Sequence, residues 1–259
     1  MSWSGLKKSL SRASTSVMHK TGNADRTENR EFEQEEHRAK VLEAKSEQLY
    51  KQANGYIQSL RNMTGSQMRI ATTIEQYFDD TDPMGANGVK YKEAVTKLEE
   101  EVREDVDAGY RQAVLEPIGR YYAYFPQINE AVRKRNKKLL DYDTARGKVR
   151  KLVERPSEDH TKLPQAEHEA EVAREMYEAM NAQLMAELPK VVDSRIAYLD
   201  PSFEAAVKSQ LSFAQDAHNT LEPLRQYFPA EPHGQELEQA ADGILAQMSN
   251  LQICRLAMQ

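Results

Sequence analysis

The 259-residue chain carries 41 acidic and 35 basic residues, a net charge of −6, with 39% hydrophobic residues but only 11 Gly and 10 Pro. That balance, rich in Ala, Glu, Leu, Lys, Gln and Arg, favours long helices in one elongated domain and argues against β and α/β folds. The single Cys254 excludes an internal disulfide or a zinc site built from cysteines and suits a reducing cytosol, and no apolar run approaches the roughly 18 residues of a spanning helix.

The first element is MSWSGLKKSLSRASTSVMHKTGNA, which holds Lys7, Lys8, Arg12 and Lys20 and no acid before Asp25. Wound as a helix, it gathers Trp3, Leu6, Leu10, Ala13 and Val17 within an arc of about 80° and turns Lys8 and Arg12 to the opposite side. This is an interfacial pattern. Burying Trp3, Leu6, Leu10 and Val17 at a headgroup boundary would contribute roughly 1.5 to 3 kcal/mol per large side chain at best. Two other readings fit the segment: a structural helix packed on the rest of the chain, and a mitochondrial transit peptide. Only the membrane reading also accounts for the basic run described below. Lipidation is not expected, because the chain does not begin Met-Gly and Cys254 lies six residues from its end.

A heptad pattern follows from Phe32 to Tyr77. Eleven of its fourteen seam positions are apolar or Ala: Phe32, Ala39, Leu42, Leu49, Ala53, Tyr56, Leu60, Met63, Ile70, Ile74 and Tyr77. Pro83, Gly85 and Gly88 end it in a turn over 79–88. The second helix is predicted over 89–154, with Tyr91, Val95, Leu98, Val102, Val106, Tyr110, Val114, Ile118, Tyr121, Phe125, Ile128 and Val132 on its seam. Every step from Val102 to Ile118 is four, so the stripe should bend or wrap, and Pro117 and Pro126 should add kinks. The loop RPSEDHTKLP over 155–164 reverses the chain into a third helix over 165–228, kinked at Pro189 and Pro201. Its opening seam of Ala166, Ala170 and Ala173 suits a slender tip. A last amphipathic helix, over 236–258, is expected to fold back on the bundle. Helices of 55 to 65 residues are on the order of 80 to 100 Å long; three of them bury their seams only in part, so a second copy is expected to cover the remainder.

Charge is segregated in the second helix. From Arg133 to Lys151, nine Lys or Arg stand against two Asp, a local charge of +7 in a chain whose other residues sum to −13. Such a run collects polyanions, either an acidic membrane or a nucleic acid. Sparse aromatic residues along the run, Tyr142 alone, and the acidic whole argue against nucleic acid. Arg133, Lys137, Lys148 and Lys151 share one helical face, Lys134 and Lys138 stand beside it and Arg150 is in the same stretch. Arg135 and Arg146 fall near the extrapolated seam and serve the helix packing. No catalytic residue, metal ligand or cofactor is expected: the six His show no HExxH or i,i+4 pairing. Asp80 and Asp82 begin like a calcium loop, but Met84 and Tyr91 stand where oxygen ligands are needed.

Three stretches carry a family resemblance. KRNKKLLDYDTAR, Lys134 to Arg146, resembles the basic stretch and DYDxAR signature on the second helix of amphiphysin-family BAR domains. AELPKVVDSRI, Ala186 to Ile196, resembles the ELPxxxxSR segment of the third, and MSWSGLKKSLSRA resembles the amphipathic leader of an N-BAR. MSW, the tip loop and YLDPSFEA are similar to the short fungal branch, of the reduced-viability-upon-starvation class. The resemblance implies an all-α fold, an elongated antiparallel three-helix coiled-coil BAR domain over 26–229 with the amphipathic helix in 1–25 and the extra helix in 230–259, forming a crescent-shaped dimer. It implies a non-enzymatic scaffold that senses and binds curved anionic phospholipid membrane through Arg133, Lys134, Lys137, Lys138, Lys148, Arg150 and Lys151, and through Trp3, Leu6, Lys7, Lys8, Leu10, Arg12 and Val17 of the leader. It further implies endocytosis and cortical actin organisation, in the cytoplasm, at the peripheral membrane and at cortical actin patches. The implied partners are a second copy or a longer SH3-bearing BAR paralogue, actin-patch and endocytic proteins and a Rho-type GTPase pathway. The competing reading is a coiled-coil cytoskeletal or small-GTPase adaptor without lipid dependence.

Overall fold

The computed structural model describes residues 3–20, 27–78, 85–227 and 234–253, without the side chains of 3–8, 18–20, 234, 235 and 237. All regular structure among them is helical: α1 (Trp3–Lys20), α2 (Arg30–Tyr77), α3 (Gly85–Lys97), α4 (Arg103–Tyr110), α5 (Glu116–Tyr122), α6 (Phe125–Glu154), α7 (Lys162–Leu221) and α8 (Gly234–Ser249). Two π-helical turns, Leu98–Val102 and Arg111–Leu115, join α3 to α4 and α4 to α5, and a 3₁₀ segment, Glu222–Tyr227, follows α7. At 48 and 60 residues, α2 and α7 are about 72 and 90 Å long. The second predicted helix is thus a nearly continuous run from Gly85 to Glu154, interrupted at residues 123 and 124 just before Pro126, whereas α7 runs unbroken past Pro189 and Pro201. The calcium-like Asp80, Asp82 and Met84 and most of the predicted turn lie outside the described residues.

The chain divides into two compact units. The first joins Met1–Ser59 to Asp107–Gln210. Within it, α2 and the α4-to-α6 stretch run antiparallel: Tyr56 meets Tyr110 with ring centroids 5.2 Å apart, and Asn129 donates to the Glu43 carboxylate at 2.8 Å. The α7 helix returns beside both, parallel to α2. Its Leu184 and Leu188 close a core with Phe32, Ala39 and Val132, and its Val192 closes another with Leu42, Tyr121 and Phe125. Burial holds the Tyr56, Tyr110 and Tyr121 phenols above the usual tyrosine range.

The second unit joins Leu60–Val106 to Leu211–Gln259. Here the end of α2 and α3 form an antiparallel pair, tied by a Lys92–Glu75 ion pair and a Thr96–Met68 contact. Gly88 permits their approach: a Cβ there would sit 3.3 Å from the Ile74 side chain. Asn87 donates to the Tyr227 carbonyl at 3.0 Å.

The predicted α2 seam is half right. Phe32, Ala39, Ala53 and Leu60, with polar Ser46, form a buried row at seven-residue spacing. In the companion row Leu42 is buried but Leu49, Met63, Ile70 and Tyr77 are exposed, and Ile57, Thr64 and Ala71, one residue on, are buried instead. An undistorted helix explains the shift, because 3.6 residues per turn drifts about 20° per heptad from an ideal seam. The α8 expectation also needs correction. Instead of folding back, residues 238–249 present exposed side chains throughout.

Candidate functional site

Positions in α6 decide which cations serve structure and which face solvent. Arg135 is 3% exposed. Its guanidinium lies 3.8 Å from the Phe32 ring centroid and 4.9 Å from that of Tyr177, and it donates to Asn181 Oδ1 at 2.7 Å and to the Tyr177 hydroxyl at 2.9 Å. The aromatic faces and oxygen acceptors replace the water it loses. Arg146, partly exposed, lies 3.6 Å from the buried Asp143 carboxylate and over the Tyr142 ring, both on α6 itself. Tyr142 stacks on Tyr177 at 6.0 Å, and Thr27 donates to Asp143 at 2.6 Å. Tyr142 and Asp143 therefore knit α6 to its neighbours.

The opposite side of α6 carries exposed cations. Arg133, Lys137, Lys148 and Lys151 fall within about 60° of one another at 100° per residue, and all four are exposed. Lys134 and Lys137, with Lys151, have no ion-pair partner among the described residues. The others are engaged at solvent-exposed positions: Arg133 with Glu130 at 3.4 Å, Lys148 with Glu169 at 2.8 Å and Arg150 with Glu154 at 3.6 Å. Pairs of this kind contribute about 0 to 1 kcal/mol and open readily. Lys138 is half-buried, with its ammonium against the Met176 sulfur at 3.3 Å. One cation escaped the sequence reading. Lys162, in the first turn of α7, lines a groove with Lys148, Arg150 and Lys151, and its only signal was a basic residue closing a mixed-charge loop.

The leader helix α1 lies on this same α6 face. Arg12 pairs with Asp141 through two contacts of 2.7 Å, and Thr15 meets Thr144 at 2.6 Å. The equal spacing makes α1 and α6 parallel there, and Asp141 and Thr144 stand between Lys137 and Lys148. Asp141 also drives the Arg12 pKa further up, chiefly through the hydrogen bond. Arg12, expected as a free cation on the polar side of the leader, is instead the anchor of that side to α6. The apolar arc points away: Leu10 is 74% and Val17 60% exposed. Trp3, Leu6, Lys7 and Lys8 lie outside the described side chains.

No described helix is long and apolar enough to cross a membrane, and no cluster of described His, Cys, Asp and Glu residues could hold a metal ion. The model of the BAR domain matches residues 6–229. Protein hob3 of Schizosaccharomyces pombe is 48% identical over 228 residues, spanning 88% of this chain and 86% of that one. Reduced viability upon starvation protein 161 of Saccharomyces cerevisiae is 39% identical over 267 residues and all of both chains, and the Regulator of cytoskeleton and endocytosis RVS161 of Candida albicans is 39% identical over 99% of each. Among solved structures, the amphiphysin BAR domain from Drosophila superposes with a TM-score of 0.62 at 24% identity, covering 88% of this chain and 97% of that one, a likeness of fold. With its helical units, its DYDxAR and ELPxxxxSR elements and these matches together, the chain belongs to the BAR-domain family.

Proposed function

We propose that this protein is a non-enzymatic scaffold that binds anionic lipid bilayers through the α1–α6 face and acts on membrane curvature in endocytosis and cortical actin organisation. One observation carries the reading: α1 is laid along the cationic face of α6 by its polar side, so its exposed apolar residues and the α6 lysines point the same way. Cations near an anionic leaflet contribute about 1 kcal/mol each, and an apolar helix beside them adds a second, reinforcing signal. The endocytic and cytoskeletal setting is drawn from the Candida albicans relative's name. Its site of action would be the cytoplasmic side of the membrane, at cortical actin patches.

The active species in this reading is a dimer. In the second unit Met63, Ile70 and Tyr77 form an exposed row at seven-residue spacing, which a second copy or a close paralogue would cover. Co-sedimentation of purified protein with phosphatidylserine vesicles and with neutral phosphatidylcholine vesicles tests the lipid claim. Binding is expected only to the former and should weaken as salt is raised; equal binding to both would overturn it.

A further inference from the structure

Five hydroxyl side chains of α1 are described, and the helix gives them different surroundings. Thr15 is 5% exposed; it donates to the Ser11 carbonyl at 3.1 Å and meets Thr144 at 2.6 Å. Ser11 and Ser16 are half-buried, whereas Ser9 and Ser14 are exposed. Of these two, Ser14 has the more particular setting. At 100° per residue it lies about 40° from Leu10 and about 60° from Val17, on the edge of the exposed apolar arc. It is about 160° from Arg12, whose guanidinium is turned to Asp141 of α6. The residues three and four positions away from Ser14 are Leu10, Ser11, Val17 and Met18, none of them a cation, whereas Ser9 stands three residues before Arg12.

A hydroxyl at the edge of the arc is compatible with a bilayer surface, but a phosphate there is not. It would carry a charge of about −1.5 to −2 at neutral pH, would find no cation on the neighbouring turns to pair with, and would face the same anionic leaflet that attracts the α6 lysines. The surrounding sequence also suits a kinase that selects basic segments by charge complementarity: Lys7, Lys8 and Arg12 precede Ser14, and no acid occurs before Asp25. We propose that Ser14 is a phosphorylation site for a protein kinase of that class, and that its phosphate releases α1 from an anionic membrane while leaving the helix docked on α6. In the step, the Ser14 Oγ attacks the γ-phosphorus of ATP. The Oγ–P bond forms, the bond from that phosphorus to the bridging β,γ oxygen breaks, ADP leaves, and the hydroxyl proton passes to the catalytic carboxylate of the kinase. The release rests on the membrane reading above; the modification stands without it.

Two measurements test the site. In the first, the full chain is incubated with ATP and either protein kinase C, which selects basic segments, or casein kinase 2, which selects acidic ones, and the phosphate is mapped by mass spectrometry. Ser14 should be modified by the former and not by the latter, and S14A should lose the modification. No phosphate on Ser14, or phosphate on Thr15 in its place, would overturn the site. In the second, the modified chain is co-sedimented with phosphatidylserine vesicles beside S14D and S14N. Phosphorylation should weaken binding about tenfold or more, S14D should fall between the modified and unmodified chains, and S14N, polar but neutral, should bind as the parent does. Amide exchange across residues 9–17 should be the same with and without the phosphate, which separates release from the membrane from loss of docking. Undiminished binding by the phosphorylated chain, equal weakening in S14N, or faster exchange across residues 9–17 would each overturn the release. A parent that binds no acidic vesicle would strike the membrane reading and the release with it, and leave a modified Ser14 standing.

Discussion

Arg135 and Lys137 stand two positions apart in one basic run, yet the helix sends them to opposite fates. Arg135 is enclosed by Phe32, Tyr177 and Asn181, and Lys137 is exposed with no ion-pair partner among the described residues. Removing the first strips the buried Tyr177 hydroxyl of its donor and leaves Asn181 Oδ1 with Asn29 as its remaining donor. R135A should therefore cost about 2 to 4 kcal/mol in urea unfolding while vesicle binding by the protein that remains folded is unchanged. A loss of binding without a loss of stability would refute the structural role. The split between the two was partly legible, since Arg135 falls near the extrapolated seam of the second helix. The pairing of Lys148 was not, because its partner Glu169 is 21 residues away on another helix.

At the level of elements, the sequence showed helices where the structure has them, and its irregularities proved informative. A run of steps of four advances a stripe by about 40° per step on an α-helix. Val106, Tyr110, Val114 and Ile118 are nevertheless all buried. The two π-helical turns near them widen the spiral and return the stripe to the core, so the run of fours signalled π turns where a bend or wrap was expected. The seam of α2 was less legible, because a heptad names two rows and cannot say which will find a partner within the chain. Composition also failed at α8, whose amphipathic pattern does not reveal that its described side chains are exposed. For α1 the described members of the apolar arc, Leu10, Ala13 and Val17, are exposed together, but the pattern did not reveal the docking of the opposite side. That docking rests on the Arg12–Asp141 pair, about a quarter exposed on each side, and should contribute about 1 to 2 kcal/mol to holding α1 in place. D141N should speed amide exchange across residues 9–17 with little effect on exchange in α6 and α7. Unchanged exchange in α1 would show that other contacts hold it.

For the molecule as a whole, a basic face on an acidic chain and an uncovered apolar row call for two different partners. The row of Met63, Ile70 and Tyr77 calls for protein. I70E places a charge in its middle and should convert the protein from dimer to monomer in sedimentation equilibrium, with helicity retained; a parent that is already monomeric at micromolar concentration would contradict the assignment. The α6 face calls for an anionic surface. Its decisive residues are those with no ion-pair partner among the described residues, Lys134, Lys137 and Lys151, and reversing the charges of the first two removes two attractive contacts and introduces two repulsive ones. The most direct measurement is therefore co-sedimentation of the K134E/K137E double variant with phosphatidylserine vesicles. The double variant should bind with an affinity lower than the parent's by about 2 kcal/mol or more at an unchanged melting temperature, and undiminished binding by the folded variant would contradict the membrane role of this face.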